Sequence, residues 1–109
     1  MKLTGNIELN STKIEEDKNH ETITIHFKSL IDPGDYNLKI QFSGKLDNSL
    51  RGFYLSKYRD NQGIEHKIGT TQFESTDARR AFPCFDEPEF KSVFSISLKL
   101  DQSLMAISN

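Results

Sequence analysis

With 109 residues, the chain has room for one small domain and too little for two. A charged fraction of 28 % and a formal net charge of −2 exclude the basic surface of a nucleic-acid binder and an acidic tail. Counting Gly but not Tyr as apolar gives about 38 %, below the roughly 45–50 % of ordinary domains, so a thin core is expected.

Residues 3–9 alternate through Leu3, Gly5, Ile7 and Leu9, which predicts a short first strand. Residues 11–20 are rich in Lys, Glu, Asp and Asn and predict a solvated turn, with Glu15-Glu16-Asp17-Lys18 as a wet loop. Residues 22–27 have a clean period of two, with Ile23, Ile25 and Phe27 on one face and Thr22, Thr24 and His26 on the other. Asp32-Pro33-Gly34-Asp35 is a turn signal, because Pro presets one dihedral and Gly accepts a positive φ. Tyr36, Leu38, Ile40 and Phe42 then alternate against polar neighbours, predicting a strand that pairs with residues 22–27 across that turn.

Residues 43–49 read as loop, and residues 52–58 as a strand with aromatic side chains on both faces. Arg59-Asp60-Asn61-Gln62-Gly63 is a hairpin turn with residues 64–73 as its return strand. Thr76 or Asp77 can cap one or two helical turns running to Arg80, ended near Pro83. Residues 90–100 resume alternation with Phe94, Ile96, Leu98 and Leu100 inward, and residues 104–107 start another short strand. The expected fold is all-β, a sandwich-like or saddle-shaped antiparallel sheet domain with one short helical turn.

The chemistry is sparse. His20, His26 and His66 are too far apart in sequence to form the i, i+4 pair of a helical metal site, and His26 falls on a polar strand face. No metal site is expected. Cys84, set between Pro83 and Phe85, reads as a buried, inert structural thiol; as the single cysteine it allows no internal disulfide and points to a cytoplasmic setting. No apolar run approaches the roughly 18–20 residues of a membrane-spanning helix, and Met1-Lys2-Leu3 opens onto no secretory core.

The stretch of interest is Gln72-Phe73-Glu74. If Phe73 points into the core at a strand end, Gln72 and Glu74 point together to the opposite face. A carboxylate beside a carboxamide is a fitting receptor for a cation with several donors, such as an ammonium group. The alternative for Glu74 is a structural one, capping the next turn or pairing with Arg79 or Arg80. For Asp86-Glu87-Pro88 the expected job is an internal cluster with those arginines that pins an irregular loop.

Gly52-Phe53-Tyr54, Ser56, Tyr58, Thr71-Gln72-Phe73-Glu74, the nearly unbroken run from Thr76 through Asp86-Glu87-Pro88, and Phe90-Lys91 resemble the N-terminal domain of the gluzincin zinc aminopeptidases. The puromycin-sensitive and alanyl aminopeptidase branch is the most similar. Looser likeness takes in Gly34, residues 36–38 and 42–46, and Ala106-Ile107-Ser108-Asn109. The resemblance implies a saddle-shaped β domain against a thermolysin-like catalytic domain, in an enzyme of peptide catabolism that removes N-terminal residues. It further implies that Gln72 and Glu74 hold the substrate's free α-ammonium and line the first specificity pocket. The family's H-E-x-x-H zinc motif, its G-A-M-E-N segment and its catalytic Tyr have no counterpart here. Residues 1–109 are therefore expected to be part of the N-terminal domain, lacking the family's first strands and the end of the domain. No catalytic residue and no cofactor is assigned to the chain itself, zinc belonging to the parent enzyme. The partners implied are a peptide's N-terminus and the catalytic domain of the same protein, and the 109 residues alone are expected to hydrolyse nothing. The parents of this family include membrane-anchored as well as cytosolic enzymes. The alternative reading is a stand-alone β interaction module without catalysis.

Overall fold

The structure, a computed structural model, describes residues 1–4 and 8–108. Its elements are β1 (Lys2–Thr4), β2 (Glu8–Asp17), β3 (Thr22–Phe27), β4 (Asn37–Lys39), β5 (Gly52–Arg59), β6 (Glu65–Gln72) and a 3₁₀ turn η1 (Ala78–Arg80). The fold is all-β. One antiparallel sheet has the order β3-β2-β1-β4, and β5 and β6 form a second, two-stranded one. No helix among the described residues is long and apolar enough to cross a membrane.

The first sheet departs from expectation in two places. Residues 11–17, expected as a wet turn, continue β2, and the turn proper is confined to residues 18–21. Ile14 pairs with Ile25 and Glu16 with Ile23, and Thr12 takes up a register shift by donating its hydroxyl to the His26 carbonyl at 3.1 Å. Polar residues suffice here because both faces of this arm are wet. Lys13 and His26 then reach the Glu15 carboxylate, each at 2.6 Å.

The second departure is β4. It spans three residues and pairs with β1, Leu38 opposite Leu3, instead of extending over residues 36–42 against β3. With the tight 18–21 turn, β2 occupies β3 first, while the longer Pro-Gly connection carries β4 across to β1. Of the first expected strand, Gly5 and Ile7 lie outside the described residues, as does Asn109.

The second sheet follows its sequence signal closely. Asp60 closes the hairpin, its Oδ1 accepting the Gln62 and Ile64 N–H groups at 2.9 Å each and its Oδ2 meeting His66 Nε2 at 2.7 Å. The His66 contact first, then the Ile64 N–H, hold the Asp60 carboxyl below the ordinary carboxylate value. Tyr58 stacks on His66 with centroids 5.1 Å apart.

Residues 90–100 and 104–107 form no strand, although they alternate. A strand exists only where its N–H and C=O groups find a ladder partner, and this segment has none among the described residues. Phe94, Ile96, Leu98 and Leu100 accordingly stay 65, 59, 58 and 46 % exposed rather than inward. Gly52 alone among the described residues is buried. A radius of gyration of 17.7 Å, against the roughly 13 Å of a compact chain of this length, expresses the same thin core.

Candidate functional site

The site is built where β6 ends. Phe73 is half-buried and meets Phe82 edge to face at 5.8 Å, and Phe82 in turn meets Phe94 at 6.2 Å. Gln72 and Glu74 both line one open, polar cleft of about 480 Å³, together with Glu21, Leu50, Arg51, Ser75, Thr76, Asp77 and Arg80. The two residues expected to share a strand face thus line one cleft, Gln72 from the last position of β6 and Glu74 from the turn beyond it.

Beyond Glu74 the chain turns at once. The Asp77 N–H donates to the Phe73 carbonyl at 2.9 Å, and η1 follows with Asp77 as its N-cap. The Asp77 side chain does not cap that turn; it takes the Arg80 guanidinium instead, Nε to Oδ1 at 2.8 Å. Arg80 also reaches Glu21 at 3.4 Å, while Arg79 lies 3.6 Å from the other Glu21 oxygen. Glu21 sits in the β2–β3 turn with φ of 53°, and through it the first sheet touches the wall of the cleft.

Asp86 does what the sequence suggests. Its Oδ2 accepts both the backbone N–H and the Nε of Arg79, each at 3.0 Å, pinning residues 83–90 onto η1. Burial alone would raise the Asp86 carboxyl, but the Arg79 N–H and guanidinium, with the Ala78 N–H, outweigh it and hold the group below its ordinary value. A depressed folded-state value means that the stabilisation is complete above the unfolded carboxyl's pKa of about 4 and is lost as pH falls through the folded one. Asp86→Asn is therefore expected to cost about 2 kcal/mol at pH 7, with the difference from wild type closing as pH falls through the lowered folded-state value. Urea midpoints measured across that range check it, and a pH-independent difference would contradict it.

Cys84 corrects the sequence reading, because it is exposed, not buried. Proline and phenylalanine on either side were poor guides, since Phe85 itself is 85 % exposed and its ring meets Phe90. Desolvation by the local surroundings still pushes the thiol up, with the Asp86 charge adding to the effect. A maleimide is expected to modify Cys84 in the folded protein stoichiometrically but more slowly at pH 7 than free cysteine. Labelling only after denaturation would contradict this.

Charge in the cleft is unevenly committed. Three carboxylates (Glu21, Glu74, Asp77) face two guanidiniums (Arg51, Arg80), so one carboxylate is in excess. Glu21, Asp77 and Arg80 satisfy one another. Glu74 has no ion pair or side-chain hydrogen bond among the described residues, which removes the structural alternative of a pair with Arg79 or Arg80. Arg51 and Glu21 are lining residues that sequence reasoning missed. The signal for Arg51 was available, because the hairpin register that sets Gly52 opposite Gln72 puts its neighbour beside the site. No group of three His, Cys, Asp or Glu among the described residues is placed to hold a metal.

An all-β chain carrying this strand end, turn and arginine–aspartate clasp is matched over residues 2–109 by the family model described as the Peptidase M1 N-terminal domain. The chain belongs to that family. It is 45 % identical over 87 residues, 80 % of its length, to the puromycin-sensitive aminopeptidase of Caenorhabditis elegans. To aminopeptidase N of Bos taurus it is 43 % identical over 90 residues, and to the mitochondrial aminopeptidase 2 of Saccharomyces cerevisiae 52 % over 77, covering 82 and 70 % of this chain. These stretches amount to 9, 9 and 8 % of the three relatives, so the chain spans less than a tenth of their length.

Proposed function

We propose that this chain supplies the substrate-reading wall of a zinc metallo-aminopeptidase that removes N-terminal amino acids from peptides. The observation that carries the proposal is the cleft in which Gln72 and Glu74 stand together while Glu74 has no cationic partner among the described residues. A substrate's α-ammonium would donate to the Glu74 carboxylate and to the Gln72 side-chain carbonyl, two acceptors that an ammonium with three N–H groups can use at once. An internal peptide bond offers a neutral amide there and would leave the carboxylate uncompensated, which restricts the site to free N-termini. Among the described residues no His, Cys, Asp or Glu group is placed to hold zinc, and on this reading the metal and the hydrolytic groups would belong to another domain of the same protein. The aminopeptidase names of the relatives support the reaction class. A cytoplasmic location is part of the proposal, supported by the free thiol of Cys84.

Titration of the intact protein with leucinamide and with N-acetyl-leucinamide, followed by NMR of the Gln72 side-chain amide, tests the reading. The free amine is expected to shift that signal saturably and the acetylated one is not. Equal responses to the two, or none to either, would overturn the proposal and leave the non-catalytic interaction module as the better account.

A further inference from the structure

The cleft holds a second uncommitted charge. Arg51 lines it, and its guanidinium has no ion pair or hydrogen bond among the described residues, Glu74 included. The cleft's other guanidinium, Arg80, is taken by Asp77 at 2.8 Å and Glu21 at 3.4 Å. One unclaimed cation and one unclaimed anion thus share a single space without neutralising each other. The roughly 480 Å³ available falls within the range of about 300–1,000 Å³ typical of small-molecule sites. Gln72, Ser75 and Thr76 add neutral donors and acceptors to its walls. The backbone holds Arg51 in place, because Ser49 donates its hydroxyl to the Arg51 carbonyl at 3.3 Å and the next residue is the buried Gly52 at the start of β5.

We infer that Arg51 is a specificity residue, and that the cleft prefers ligands carrying both an ammonium and a carboxylate. A guanidinium remains charged at any working pH and offers a fork that matches a carboxylate. Two sources present that chemistry: a free amino acid, through its α-carboxylate, and a peptide that begins with Asp or Glu, through its side chain. This inference rests on the assignment of Glu74 to the ammonium and adds the opposite pole.

Calorimetric titration of the intact protein separates the cases with three probes. Leucinamide carries the ammonium alone, leucine adds the α-carboxylate, and glutamic acid α-amide adds a side-chain carboxylate. At least one of the last two is expected to bind about fivefold more tightly than leucinamide, the scale of a solvent-exposed ion pair. Arg51→Gln is expected to erase that preference among the three probes, and Arg51→Lys to keep part of it. Preference for leucine identifies the free amino acid, and preference for the glutamic amide identifies acidic N-termini. Equal binding of all three, or a preference that survives Arg51→Gln, overturns the inference. Failure of the underlying assignment reads differently, as leucinamide binding that Glu74→Gln does not weaken.

Discussion

Glu74→Gln is expected to lower kcat/KM for peptides with a free N-terminus about a hundredfold in the intact protein. The carboxylate and carboxamide are nearly isosteric, so the shape of the cleft is kept and only the charge is lost. A hydrogen bond to a charged partner is worth about 1.5–3 kcal/mol, and its upper range corresponds to roughly two orders of magnitude. Gln72→Leu removes a neutral acceptor and should cost less, about two- to tenfold. The effect should also depend on pH. An α-ammonium titrates near pH 8, so the wild-type advantage over Glu74→Gln should shrink as pH rises past about 8. Kinetics of both variants across pH 6–9 would check this. A Glu74→Gln enzyme with unchanged kcat/KM would remove Glu74 from substrate binding.

Gly52→Ala is expected to be the most damaging single methyl group in the described structure. Gly52 has φ of +67°, and a Cβ there would lie 2.6 Å from Arg80 Cβ and 3.2 Å from the Asp77 carbonyl oxygen. Left-handed strain costs about 1–2 kcal/mol for a residue with a Cβ, and overpacking typically adds about 1–3 kcal/mol. A loss of about 3 kcal/mol is therefore expected, a large share of the stability of so thinly cored a chain. Two other glycines grade the effect. Gly63 has φ of +80° but open space around it, so Gly63→Ala should show the strain alone, about 1 kcal/mol. Gly44 has neither a positive φ nor a neighbour within 4 Å, and Gly44→Ala should be near neutral. Urea denaturation of the three variants tests the series. Equal losses at all three positions would show that η1 does not press on Gly52.

Legibility in the sequence followed the physics of partners. The β5–β6 hairpin was readable because its strands, its Asp60–Gly63 turn and its partner lie within one short segment. Gln72 and Glu74 were readable as a pair because strand alternation is local, and Asp86 because Arg79 is only seven residues away. β2 was missed because an arm wet on both faces needs no apolar stripe, only a partner and charges such as Glu15 facing His26. Alternation misled in residues 90–107, where periodicity is present and the ladder is not. Glu21 could not have been found from its neighbours, since its reach to Arg79 and Arg80 depends on how two distant hairpins meet.

The most direct test of the central claim is a crystal structure of the intact protein with leucinamide bound. The account predicts the ligand's ammonium nitrogen within about 2.7–3.2 Å of a Glu74 carboxylate oxygen, with Gln72 as its second acceptor. An ammonium held by other residues, with Glu74 facing solvent, would contradict it.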